Sequence, residues 1–310
     1  MTCGIGAADR YSRGRVLGAF AAVYLVWGST YLAIHYAVQT IPPFLMVGAR
    51  FLTSGTLLYL WARWRGADRP SARQWRDAAV AGLLMLCLGN GAVSWAEQRV
   101  ASGLAALLIA VVPLWVVIVD WLRPQGRRPT LGVTVGVVIG LGGLVILVGP
   151  STILGHRSVD PTAALVLVSG SLAWAAGSVY NRHGDRPSSA VLSTGIQMLG
   201  GSVALLVLAI LSGELRHFEP SHVSRASIAG WLYLVTFGSL VGFTAYIYLL
   251  QAVTPAKAST YAYVNPLIAV FLGWALAGEP VSARTLVAAA IILAGVAMIT
   301  LAQSRAPTTG

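Results

Sequence analysis

Acidic residues are scarce. Ten Asp and Glu stand against 21 Lys and Arg in 310 residues, and charges of both signs make up only 10% of the chain. A soluble domain carries about 25%, so water alone is not the intended solvent. All ten acids fall in tails, connections or helix ends, with Glu97 and Asp120 closest to the interior of a span. Ion-coupled carriers commonly hold a carboxylate within the membrane, and its lack points to facilitated, uncoupled movement of a substrate. Cysteine is limited to Cys3, in a polar tail, and Cys87, in an apolar run, which argues against a disulfide or a thiolate metal site. No Ser/His/Asp set, metal-ligand cluster, Gly-rich phosphate loop or Walker motif can be assembled. An enzyme is therefore not expected, nor a cofactor or a metal. The +11 net charge does not imply nucleic acid, because 56% of the residues are hydrophobic and basic residues on such a chain set membrane orientation instead. No short apolar core with a small-residue cleavage site opens the chain, so the first apolar segment is expected to be retained.

What is present is a series of apolar runs. A spanning helix needs about 20 mostly apolar residues. Ten candidates occur, at 16–37, 43–64, 77–96, 102–122, 131–149, 161–181, 189–212, 226–250, 255–276 and 281–302. Short polar connections leave no room for a soluble domain. Lys and Arg gather in alternate connections: Arg10, Arg13 and Arg15, then Arg63 to Arg76, Arg123 to Arg128, Arg182 and Arg186, Lys257 and Arg305. This asymmetry places both termini in the cytoplasm. The expected division is a tail (1–15), a five-helix unit (16–149), a second five-helix unit (161–302) and a short tail (303–310).

The two units match in order. Trp27 pairs with Trp174 and Arg50 with Gln197, each 147 residues apart; Gln98 pairs with Gln251, Pro113 with Pro266 and Trp121 with Trp274, each 153 apart. Five helices is an odd number, so the second copy enters the membrane inverted. Inverted repeats build many secondary transporters, with the substrate near the midplane beside interrupted helices. Pro113 and Pro266 are then expected as paired hinges, since proline removes a helical hydrogen bond and crowds the preceding turn.

The stretches "VWGSTYLAIHYA" (26–37), "ARFLTSG" (49–55), "VVPLWVVIVDWL" (111–122) and "VNPLIAVFLGWALAGE" (264–279) resemble the ten-helix EamA-type branch of the drug/metabolite transporters. The resemblance covers nearly the whole chain. It implies an all-α integral membrane protein of two inverted five-helix repeats, cytoplasmic termini, location in the cell (inner) membrane and alternating access around a central cavity. Several members are amino-acid exporters, including the YddG-type exporters of aromatic amino acids. Partners would be a small-molecule substrate and membrane lipid, with the chain acting as a monomer. Export of nucleosides, sugars or cationic drugs, with proton coupling, stands as the alternative.

Candidate substrate contacts follow from polarity within the spans. Trp and Tyr normally sit at the interfacial belts, which suits Trp61, Trp64, Trp75, Trp121 and Trp274. Trp27, Trp95, Trp115, Trp174, Tyr248 and Tyr261 fall deeper, and Trp27 and Trp174 are repeat partners. Binding pockets combine apolar and aromatic walls with a few placed polar groups. The polar candidates are Thr30, Asn90, Ser94, Ser178, Thr244 and Asn265, with Ser29 and Gln251 beside them. Arg50 lies well inside a span and fits either a functional charge or a tie to neighbouring carbonyls; its uncharged partner Gln197 favours the tie. His35 reads as a polar residue at a helix end. "GNG" (89–91) and "GLGG" (140–143) read as sites of close helix packing.

Overall fold

The computed structural model describes residues 12–124, 128–148, 160–253 and 260–304. Cys3, Arg10, Ser151, Lys257, Arg305 and the side chains of Gln251 and Tyr263 lie outside what is described. Among the described residues the fold is wholly helical. Eight helices are long and apolar enough to cross a membrane, and two shorter apolar helices accompany them at Leu131–Leu147 and Val264–Ala277.

Helix α1 runs Arg13–Ala37 and is opened by Ser12, whose hydroxyl accepts from the N–H of Arg15. Helix winding thus begins three residues before the apolar run at 16, because a Ser N-cap starts it early. Helix α2 spans Pro43–Trp64 with proline in its first turn, where a missing N–H costs nothing. Helix α3 runs Ala72–Ala96. It begins five residues before the apolar run does, since Ser71 and Gln74 form a reciprocal capping box that carries the helix through Arg73 and Arg76. Helix α4 spans Ser102–Trp121 in two pieces, Ser102–Ile109 and Val112–Trp121. Helices α5 (Leu131–Val148), α6 (Pro161–His183) and α7 (Ala190–Leu211) follow. Helix α8 comprises Arg225–Tyr233, Leu234–Val241 and Gly242–Ala252. Helices α9 (Tyr261–Ala277) and α10 (Ala283–Ser304) complete the chain.

Two departures from regular helix stand out. Leu83–Asn90 of α3 and Leu234–Val241 of α8 are wound as π-helix. The two stretches begin and end 151 residues apart. π-Helical turns are rare and gather at functional sites. The second departure is at the prolines. α4 breaks at Ala110–Val111, where Pro113 has no N–H for the carbonyl of Ile109, one turn back. α9 runs through Pro266 without interruption. The two prolines thus differ in setting: one follows a break in the helix, the other lies within one.

Close contacts hold the bundle together. α2 packs along α7, and α5 along α10. A β-carbon at Gly55 would meet the Gly195 carbonyl at 3.0 Å, and one at Gly136 would meet the Gly295 carbonyl at 2.8 Å. Small residues let membrane helices approach this closely. Gly140 and Gly143 likewise face Leu114 and Ile292, whereas Gly142 faces open space. Leu17, Leu57, Leu60, Val138 and Leu286 are exposed on the outside, as suits a surface solvated by lipid.

Candidate functional site

One group of candidates gathers on α1, α8 and α9. The Trp27 ring lies 5.3 Å from Phe243, 5.1 Å from Tyr246 and 5.1 Å from Tyr261, centroid to centroid. Its indole N–H donates to the Gly238 carbonyl at 3.2 Å, within the π-helical turns of α8. A β-carbon at Gly242 would collide with that indole. Tyr248 packs into the same cluster. Thr30 turns its hydroxyl back onto the Trp27 carbonyl at 2.6 Å, and Ser29 pairs with the Tyr233 hydroxyl at 2.7 Å. Asn265 is buried; with its amide nitrogen as donor it reaches the carbonyls of Tyr261 and Tyr24, both at 3.3 Å.

Arg50 enters this group from α2. It is 4% exposed, and its Nε donates to Ser239 Oγ at 2.9 Å. A terminal nitrogen lies against Gly238, and the guanidinium carbon sits 4.9 Å from the Phe51 ring centre. No carboxylate among the described residues pairs with it. The sequence favoured a tie to neighbouring carbonyls for Arg50; the bond found runs to the Ser239 hydroxyl instead. It leaves the charge itself uncompensated.

A second group lies on α3, α4 and α6. Trp174 covers Gly89 in the π-helical turns of α3, where an added β-carbon would come within 2.9 Å of the ring. Ser178 bonds back to the Trp174 carbonyl at 2.8 Å. The Trp115 indole donates to Ser171 Oγ at 2.9 Å. Asn90, half-buried, ends the π-helical stretch. Trp27 against α8 and Trp174 against α3 thus each meet a glycine at or beside a π-helical stretch.

Three candidates fall elsewhere. Thr244 is exposed and bonds its own helix at the Leu240 carbonyl. Ser94 is fully buried and its hydroxyl makes no hydrogen bond to a described residue. Trp95 belongs to the far end of the bundle, opposite the N-terminus. There its ring carries the Arg99 guanidinium at 3.8 Å and borders a shallow cavity of about 470 Å³ with Val38 to Phe44, Gln98 and Ser212 to Glu214. Trp95 is the penultimate residue of α3, at the end of the span rather than deep within it.

That far end also holds contacts the sequence did not reveal. Glu279, just past α9, accepts from the N–H groups of Ser102 at 2.7 Å and Gly103 at 3.0 Å, closing the start of α4. Glu214 does the same for Phe44 and Leu45 at the start of α2. Burial pushes the Glu214 carboxyl above its usual range, against the pull of those two N–H groups. The Tyr36 hydroxyl donates to the Leu276 carbonyl at 3.2 Å, and Thr40 to Ser227 at 2.8 Å. The only sequence signal was an acid following a helix end, which is too common to single out. At the N-terminal end, Asp77 accepts from the Tyr180 hydroxyl and the Asp185 N–H, tying α3 to the α6–α7 connection.

The profile of the EamA-like transporter family matches residues 15–149 and, a second time, 161–301. The chain belongs to the EamA-like transporter family. This EamA-like transporter is 38% identical over 292 residues to the inner membrane transporter YedA of Escherichia coli (strain K12), covering 93% of this chain and 91% of that protein. It is 26% identical over 298 residues to protein PagO of Salmonella typhimurium, covering 94% of both chains. It is 24% identical over 279 residues to protein PecM of Dickeya dadantii, covering 88% of both. A solved crystal structure superposes with a TM-score of 0.62 at 21% identity, over 95% of this chain and 100% of that one; this likeness is one of fold. The transporter is a multi-pass membrane protein by family and by its apolar helices.

Proposed function

We propose that this chain is a secondary transporter of the inner membrane that exports amino acids, aromatic and other neutral ones foremost, with related small metabolites. The two family matches and the two equivalent π-helical stretches support a pair of inverted five-helix repeats. The Arg- and Lys-rich connections support a cytoplasmic position for the N-terminal end of the bundle.

The observation that carries the substrate class is Arg50 beside the Trp27 group. A buried charge without a partner is costly, and arginine is the side chain most suited to a planar carboxylate. Its Nε is held by Ser239, and a terminal nitrogen lies against Gly238, whose carbonyl takes the Trp27 indole. A neutral amino acid supplies a carboxylate for the guanidinium and an apolar side chain for the aromatic group. The buried cation also weighs against cationic drugs. The π-helical turns of α3 and α8 are the strained elements that rearrange as the two units rock. Substrate runs down its own gradient, because no carboxylate lies in the middle of a span.

Counterflow into proteoliposomes with labelled phenylalanine, tryptophan, leucine, a nucleoside and a quaternary amine tests this reading. Exchange of the amino acids is expected, with none for the quaternary amine. Exchange restricted to nucleosides or amines would overturn it.

A further inference from the structure

Glu97 ends α3 at the far end of the bundle and is 2% exposed. Neither carboxylate oxygen makes a hydrogen bond to a described residue. The sequence placed this acid at a helix end; the structure closes that end over it. Its charged and titratable neighbours come from two directions. Helix α1 contributes Tyr31 and His35, and the connection after α9 contributes Glu279. No described residue donates to this carboxylate, and Glu279 opposes a negative charge there. In the connection that follows α3, Arg99 is turned away, onto Trp95 and to 4.0 Å from Asp160.

The surroundings share this lack of partners. His35 Nδ1 and Ser102 Oγ are buried without a hydrogen bond to a described residue. Glu279, by contrast, is fully occupied by the N–H groups of Ser102 and Gly103, and a helix N-terminus suits a negative charge. An isolated buried carboxylate takes up a proton rather than bear the cost of its charge. Glu97, buried with both oxygens unpartnered, is the group suited to holding a proton.

We propose that Glu97 is a proton-binding site, occupied while the far end of the bundle is closed and vacated when that end opens to water. This rests on the alternating-access reading. The proton enters and leaves on one face, so it sets how readily the far end opens without driving uphill transport. The sign follows from linkage. The closed state binds one proton more than the open state, so low pH favours closure and rising pH favours opening, by at most about tenfold per pH unit.

Two measurements on the intact protein test this, and neither needs the substrate. The first is the infrared band of a protonated carboxylic acid at neutral pH, expected in the wild type and lost in Glu97→Gln. The second is labelling of Ser102→Cys by an impermeant thiol reagent, in a background carrying Cys3→Ser and Cys87→Ala, with equal pH on both sides. Labelling should quicken as pH rises. It should become slow and independent of pH in Glu97→Gln, and regain its pH dependence in Glu97→Asp. No Glu97 band, labelling that ignores pH in the wild type, or labelling that follows sodium instead would overturn the proposal. Should counterflow show that the substrate is not an amino acid, both readouts still decide the proton site.

Discussion

The indole of Trp27 donates to the main-chain carbonyl of Gly238 at 3.2 Å, joining the middle of α1 to the π-helical turns of α8. A π-helical turn leaves its carbonyls less well engaged than an α-helical one, and here a side chain from another helix takes one up. The bond sits between the aromatic group and Arg50, so a change in winding of α8 is felt at both. Trp27→Phe keeps the ring packing and removes the donor. A hydrogen bond of this kind is worth about 1 kcal/mol, so substrate affinity is expected to fall roughly fivefold with expression unchanged. Affinity measured by counterflow decides it, and an unaltered value would mean that the bond plays no part in binding.

Arg50 gives a sharper test of substrate chemistry. A hydrogen bond to a charged group contributes about 1.5–3 kcal/mol. Arg50→Gln is therefore expected to weaken binding of a neutral amino acid by roughly tenfold or more. Binding of the corresponding amine, which lacks the carboxylate, should change little. Equal losses for both compounds would show that Arg50 serves only as the tie to Ser239.

Glu279 closes the start of α4 through Ser102 and Gly103. Glu279→Gln removes the charge from a helix N-terminus, at a cost of about 1 kcal/mol. The far end should then open more readily, and Ser102→Cys should label roughly fivefold faster. No change in rate would separate this cap from gating.

The orientation is checked in intact cells. A cysteine in place of Ser221, in the connection before α8, is expected to react with an impermeant thiol reagent, while Cys3 in the tail is not. Labelling of Cys3 would reverse the assignment.

How far the sequence reaches can be seen residue by residue. Hydropathy located the spans because length and composition decide what lipid accepts. It missed the early start of α3, because the capping box of Ser71 and Gln74 extends the helix into polar sequence. The match of Trp27 with Trp174 showed that two aromatics are equivalent. It could not show that each lies on a π-helical stretch, because winding depends on tertiary contacts that no local propensity encodes. Glu97 is the clearest limit. Its place at a helix end was readable, but its burial comes from α1 and the end of α9, 60 and more residues away in the chain.

The prolines carry the last prediction. In sequence Pro113 and Pro266 hold equivalent places. In structure α4 breaks before Pro113, and α9 continues through Pro266. Asn265 accounts for the difference. Its side-chain nitrogen reaches the Tyr261 carbonyl in the turn that Pro266 weakens, and the Tyr24 carbonyl on α1. The amide thus binds the defect to a neighbouring helix, which is how membrane helices tolerate proline. Only α4 then has a joint, between a far half packed on α9, α6 and α1 and a near half packed chiefly on α6. Pro113→Ala should let α4 run straight and slow the exchange between outward- and inward-facing states. Pro266→Ala should do much less. Asn265→Ala removes both bonds and is expected to lower thermal stability by about 1–3 kcal/mol, along with transport. Single-turnover exchange rates and thermal unfolding of the three variants separate these outcomes. Equal slowing by the two proline variants would restore a symmetric pair of hinges. Wild-type rates in both would make the break in α4 a packing feature with no part in the cycle.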